Sequence, residues 1–202
     1  MHAIYSMIFA EDDDKVEEWF ARVPGTYDFT EWERREERYY DRGQTEKFER
    51  QKQENILTLH QYLDQKFEMN LTTPEKAVAA YRHRIALLDA LFVGENAVYR
   101  RSSYAFFHMM LAEALFRCGT MEEGDEMLEK AVDYYEEWFA IPAETEFVYT
   151  GIFDKITGRK HGYTTPEKVL RFLDGDRRPT GFAAVAEDER YLALVGRIRR
   201  HV

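Results

Sequence analysis

The sequence predicts an all-α protein, and three observations lead to that prediction. Only five prolines and eleven glycines occur among 202 residues, which suits long helices with short connections. Apolar residues recur at helical spacing in several segments. No alternation of polar and apolar residues lasts long enough to indicate a sheet. Because 45% of the residues are hydrophobic, the chain can bury a sizeable core, and we expect a single domain over residues 1–202.

The most informative stretch is residues 104–140, which reads as two helices folded back on each other around Gly119. Small residues stand at Ala112, Gly124 and Ala131, and apolar residues fill the positions between them. Small side chains allow paired helices to approach closely, and glycine suits the left-handed turn that ends a helix. This stretch therefore predicts a helical hairpin of the kind found in helical-repeat scaffolds.

Several helix starts can be read directly. The string TTPEK occurs at 72–76 and again at 164–168, and in each copy Thr suits the N-cap and Pro the first helical position. Thr120 and Glu123 have the spacing of a capping box. These signals predict helices at about 12–22, 30–67 with a break near Gly43, 74–93, 98–118, 121–140, 165–173 and 188–200.

The helices suggest an organisation in three parts. Residues 1–26 form an N-terminal extension with the first helix, residues 74–140 form the repeat core, and residues 141–202 supply C-terminal capping helices. The helix at 98–118 has almost no polar side, so we expect neighbours all around it. Within the last part, residues 141–164 predict a long connection with a short helix near 147–156.

Charge and cysteine content limit the partners and the compartment. The net charge is −10 and the isoelectric point is about 5.2, which disfavours nucleic-acid binding by this chain because phosphate backbones require a basic surface. Cys118 is the single cysteine, so no intrachain disulfide forms, and we expect a buried thiol in a reducing compartment. The apolar stretch 105–116 is too short to cross a bilayer. We expect a cytoplasmic protein without membrane contacts.

A search for catalytic and metal-binding motifs predicts no enzyme, no cofactor and no metal site. None of the six histidines belongs to an HExxH motif, and phosphate-binding loops and nucleophile elbows are absent from the sequence. His108 stands beside aromatic residues on the most apolar helix, where a hydrogen-bonded core histidine is the favoured interpretation. A helical enzyme with a buried His108 site is the less favoured alternative.

The hairpin resembles a tetratricopeptide repeat in the residues Leu111, Ala112, Leu115, Gly119, Gly124, Leu128 and Ala131. A wider resemblance covers residues 27–200, and it links the chain to the helical C-terminal domain of bacterial Xre-type helix-turn-helix regulators. The segments that carry it are 39–56, the run from 77–81 through 91–119 to 122–142, and 181–198. The resemblance implies antiparallel helical hairpins in a short right-handed superhelix, with a role in sensing or protein contacts. About 26 residues precede the matching region, so we expect no DNA-binding domain in this chain.

The resemblance also implies a binding groove, because the first helix of each tetratricopeptide pair lines a concave surface. The residues that would face it are Phe106, Met109, Glu113, Phe116 and Arg117. Large rings with one acid and one base suit an extended or helical peptide. The alternative is that the apolar members are core residues covered by residues 74–93 or by the C-terminal helices.

Two functions stay open from the sequence. The first is a non-enzymatic module of bacterial regulation that binds a protein, a peptide or a small effector. The second is the regulatory half of a helix-turn-helix transcription factor that acts on DNA through another domain or chain. Either role leaves room for a homodimer.

Overall fold

The computed structural model describes residues 29–68, 71–160 and 162–202, so the helix expected at 12–22 lies outside the described residues. This part of the chain is mostly helical, as predicted. The helices are α1 (Phe29–Asp41), α2 (Thr45–Glu68), α3 (Pro74–Leu91), α4 (Arg101–Arg117), α5 (Met121–Ala140), α6 (Pro166–Leu173), α7 (Thr180–Ala184) and α8 (Glu189–Arg199). Short 3-10 helices cover Gly94–Arg100 and Gly151–Phe153, and the strands are β1 (Glu146–Val148) and β2 (Thr157–Arg159).

The chain divides into two compact units, Met1–Tyr62 and Leu63–Val202. The described part of the first unit is α1 and most of α2, which are separated by a turn at Gly43 with φ +66°. This confirms the break expected there. The remaining elements belong to the second unit, and the prediction of one domain stays a prediction.

The hairpin around Gly119 is confirmed. Gly119 has φ +77°, and its N–H donates to the carbonyl of Phe116 at 3.0 Å, while the N–H of Thr120 donates to Leu115 at 3.0 Å. These bonds close the end of α4 and let α5 begin at once. A Cβ on Gly124 would lie 2.5 Å from the Phe116 ring. The small residue is therefore required where the two helices meet.

Two of the three predicted caps are confirmed. The hydroxyl of Thr73 accepts the N–H of Lys76 at 3.3 Å, and the hydroxyl of Thr165 accepts the N–H of Lys168 at 3.4 Å. The capping box at Thr120 is wrong, because its side chain makes no cap hydrogen bond. The preceding glycine turn already brings the chain directly into α5.

The prediction for residues 141–164 is confirmed only in part: a short 3-10 helix, Gly151–Phe153, lies within 147–156, but it stands between the strands of a β-hairpin that was not predicted. β1 and β2 are antiparallel, with Phe147 opposite Gly158. Buried Asn96, in the 3-10 helix before α4, accepts the N–H of Thr150 at 2.9 Å and donates to its carbonyl at 2.9 Å. Partners 54 residues apart hold this hairpin, so local sequence patterns do not reveal it.

The core of the second unit lies around α4, where eleven residues are buried. α5 packs along one side of α4, α3 contacts another, and the short helix α7 closes a third. α7 was not predicted, because five residues are too few to show a helical period. α8 packs on α5 and α6, with Leu194, Val195 and Ile198 on its buried face.

Arginines attach α8 to α5. Arg197 pairs with Asp133 at 2.7 Å and also with Glu136, while Arg190 pairs with Glu129 at 2.9 Å. The hydrogen bond from Arg197 lowers the pKa of Glu136. The basic end of the chain therefore makes structural ion pairs with acids of the neighbouring helix. Across the described ranges, no helix is both long enough and apolar enough to cross a membrane.

Candidate functional site

The residues predicted to line a peptide groove lie on α4, and most of them are covered. Met109 and Phe116 are only 1% and 3% exposed and belong to the main hydrophobic cluster, and Phe106 packs against that cluster, partly buried. The Phe116 ring lies 6.2 Å, centroid to centroid, from the ring of Phe182 on α7. The burial agrees with the alternative interpretation that these side chains are core residues.

Glu113 and Arg117, the charged pair of the predicted groove, lie next to α7 and at the surface, respectively. Glu113 is 4% exposed, and its Oε1 accepts the N–H of Gly181 at 3.2 Å. Arg117 lies on the surface, with Nη1 3.8 Å from Glu113 Oε2. A Cβ on Gly181 would collide with the Glu113 carbonyl oxygen, so glycine lets α7 lie directly on α4. Peptide binding by the five groove residues stays a prediction.

An open cavity of about 320 Å³ lies elsewhere in the second unit. The end of α5, the turn after it, the end of β2, the start of α6 and the C-terminal tail all contribute to its wall. The residues that line it are Phe139, Ala143, Glu144, Lys160, Gly162, Thr164, Thr165, Pro166 and His201. We call this site the α5–α6 cavity.

Lys160 is the main cation of the α5–α6 cavity. Its ammonium group donates to the carbonyl of Trp138 at 2.8 Å and to that of Ile141, so it satisfies acceptors at the end of α5. Its Nζ also lies 5.1 Å from the centroid of the Trp138 ring. Burial lowers the pKa of Lys160. Among the described residues, no carboxylate forms a salt bridge with this lysine.

The other ionisable residues of the α5–α6 cavity, Glu144 and His201, each have an ionisable neighbour. Glu144, with φ +61°, has its carboxylate 3.5 Å from Arg159 Nη1. His201 packs its ring 5.4 Å from that of Phe139, and its Nε2 lies 3.8 Å from Glu136. Of the charged side chains that line this cavity, Lys160 is thus the one without a counter-charge among the described residues.

The start of α6 already holds an anion. A hydrogen bond with Thr165 and one with its own backbone N–H lower the pKa of Glu167. This carboxylate occupies the positive end of the helix dipole. The positive potential available to a ligand therefore comes from Lys160 rather than from the helix terminus.

His108 is a hydrogen-bonded core histidine, as predicted. Its Nδ1 lies 2.8 Å from the carbonyl oxygen of Tyr104, and because a carbonyl only accepts, Nδ1 carries the proton. Burial lowers the pKa of His108. Within the described ranges, no group of three or more histidine, cysteine, aspartate or glutamate side chains could hold a metal ion.

The prediction for Cys118 is wrong, because this thiol is exposed. α4 ends at Arg117, and Cys118 is its C-cap residue. The apolar pattern of α4 does not continue to this position, where the chain turns towards solvent before Gly119.

Sequence reasoning missed the α5–α6 cavity because five of its nine lining residues lie in the segment 141–164, which was expected to be a loose connection. The one signal that pointed there was the second TTPEK string, which fixed the start of α6.

No protein-family model matches this chain, and neither a curated protein nor a solved structure matches it.

Proposed function

We propose that this chain is a non-enzymatic module that binds a small effector in the α5–α6 cavity. The supporting observation is the cavity itself: it is open, and it combines apolar walls with a half-buried cation. Small-molecule sites are concave and have volumes of about 300–1,000 Å³, with few polar groups among apolar ones. A volume of about 320 Å³ suits a small organic molecule rather than a peptide.

The position of the cavity supports a sensing role. An effector there would touch the end of α5, the β-hairpin and the tail after α8 at the same time, through Phe139, Lys160 and His201. Binding would stabilise the arrangement of these elements, and any partner surface that they form would respond to the effector. The tetratricopeptide-like arrangement of α3, α4 and α5 belongs to this proposal as the scaffold that carries the site.

A matched pair of variants tests the proposal. Thr164→Trp places a large ring in the α5–α6 cavity, whereas Thr157→Trp places the same ring on the exposed face of β2. Thermal unfolding is measured for the wild type and both variants against a collection of small metabolites. We expect compounds that raise the Tm of the wild type and of Thr157→Trp but not of Thr164→Trp. The proposal fails if no compound raises the Tm of the wild type, or if Thr164→Trp responds equally.

A further inference from the structure

We propose that the ligand of the α5–α6 cavity is a small organic anion whose carboxylate or phosphate group pairs with Lys160 while its apolar part packs on Phe139. The inference rests on the proposed function and adds the chemical class of the ligand. It starts from the bonding of Lys160. An ammonium group has three N–H donors, and the carbonyls of Trp138 and Ile141 use two of them.

The two carbonyls satisfy hydrogen bonds but supply only partial charge. Two other partly buried cations of the second unit do have a carboxylate partner: Arg197 pairs with Glu136 and Arg101 with Glu137. A cation that loses hydration without an opposite charge is destabilised in its charged form. An anion in the cavity would remove that penalty through a charge-assisted hydrogen bond.

No acid near the cavity, in the part of the chain that the structure describes, serves as the counter-ion of Lys160. Glu144 is directed to Arg159, and Glu136 is shared by Arg197, Arg200 and His201. These acids near the cavity each have a cationic neighbour, whereas Lys160 has no carboxylate partner among the described residues. An incoming anion meets a cation without a carboxylate partner, whereas the acid that lines the cavity, Glu144, already lies beside Arg159, which also pairs with Glu146.

The apolar part of the cavity wall favours a ligand that has an apolar group besides its acid group. Phe139, Ala143 and Pro166 present carbon surface, and burying apolar ligand atoms there is favourable by the hydrophobic effect. Lys160 and Phe139 both line the same cavity, so an acid group and an apolar group can bind together. A ring or short chain carrying one acid group has this composition.

An NMR titration of the full chain tests the inference with three probes: phenylacetate, its neutral analogue phenylacetamide, and inorganic phosphate. We expect phenylacetate to shift the amide signals of Gly162 and Thr164 with a Kd of about 1 mM, and phenylacetamide to bind at least about tenfold more weakly. Phosphate that binds in place of phenylacetate supports the same pairing and identifies a phosphate group as the anion. The inference is overturned if neither anion shifts these signals.

Variants separate the role of the charge from an effect on folding. Lys160→Met should weaken phenylacetate at least about tenfold, whereas Lys160→Arg should retain binding because it keeps the cation. Lys155→Met removes a lysine of the same hairpin that does not line the cavity, and it should leave affinity unchanged. If phenylacetamide binds as tightly as phenylacetate, and equally to Lys160→Met, the anion inference is overturned while the proposed effector site stands.

Discussion

Arg84 and Lys160, two of the cations of the second unit that lie over aromatic rings, differ in their partners, because only Arg84 has a carboxylate. Arg84 on α3 is 3% exposed, its guanidinium carbon lies 4.2 Å from the centroid of Phe107, and Nε and Nη2 donate to Asp64 at 2.5 Å and 2.8 Å. Lys160 lies over Trp138 and donates only to carbonyls. Arg84 thus has an ionic partner within the fold, whereas Lys160, beside the cavity, has only hydrogen-bond acceptors without a full negative charge.

A similar contrast exists between two surfaces of the second unit, the α4–α7 contact and the α5–α6 cavity. α7 packs on α4 at Glu113 and Phe116, two of the residues expected to line a groove, with Gly181 in close contact with Glu113. The α5–α6 cavity lies among elements that meet without filling the space between them. Interior surface that is filled and paired contributes to stability, whereas open surface with an uncompensated charge is available for binding.

The largest expected effect comes from breaking the paired cation. Asp64→Leu leaves the Arg84 guanidinium buried without its carboxylate, and we expect the free energy of unfolding to fall by about 3 kcal/mol. Urea denaturation measures it. Adding Arg84→Met to Asp64→Leu should recover most of the loss, because no charge is then left buried. The comparison breaks down if Asp64→Leu costs no more than Lys160→Met.

The closed face of α4 should tolerate no extra methyl group. We expect Gly181→Ala to lower the free energy of unfolding by about 2 kcal/mol, because the new Cβ meets backbone of Glu113 that cannot move away easily. Gly196→Ala is the matched control on α8, since a Cβ there has nothing within 4 Å. That variant should gain up to about 1 kcal/mol from helix propensity. Equal responses of the two variants would contradict the close contact at Gly181.

Removing the unpaired cation should cost less. Lys160→Met loses two hydrogen bonds to the end of α5 but leaves no carboxylate unpaired, so we expect a loss of about 1 kcal/mol in urea denaturation. Lys160→Arg, which keeps a donor and the charge, should lose less. A loss for Lys160→Met as large as that for Asp64→Leu would show that Lys160 carries a structural load equal to that of the buried pair.

The smallest effect is a dependence on pH that comes from His108. Burial lowers the pKa of His108 below 6.5, so the unfolded chain binds more protons than the fold. Stability should therefore be unaffected by this group above its unfolded pKa and should fall as the pH drops through 6.5 towards the folded value. His108→Phe should lose this part of the slope in unfolding experiments between about pH 7.5 and about pH 5. An unchanged slope would contradict a neutral buried imidazole.

Local signals predicted most of the helical fold. The Thr-Pro caps fixed the starts of α3 and α6, and the small residues around Gly119 fixed the α4–α5 hairpin, because each signal acts within a few residues. The β-hairpin depends on Asn96, which lies 54 residues from Thr150. Contacts at that separation leave no periodic pattern in the sequence.

The candidate site was the less predictable part. Phe106, Met109 and Phe116 have the composition of a binding surface, but composition does not distinguish an open groove from a core. The burial of Met109 and Phe116 depends on distant residues such as Phe182. Lys160 carries no motif. Its significance depends on which acids lie near it, and only the folded arrangement of α5, β2 and α6 determines that.

The central claim is that Lys160 binds an organic anion, and the most direct test is to measure the pKa of Lys160. NMR signals of its side chain are recorded across a pH titration, once without and once with phenylacetate. Without ligand, the pKa should lie below the ordinary lysine value of 10.5, because the ammonium group is partly buried and unpaired. Saturating phenylacetate should raise it, since an adjacent anion stabilises the charged form. A pKa that is the same in both titrations would contradict an anion bound to Lys160.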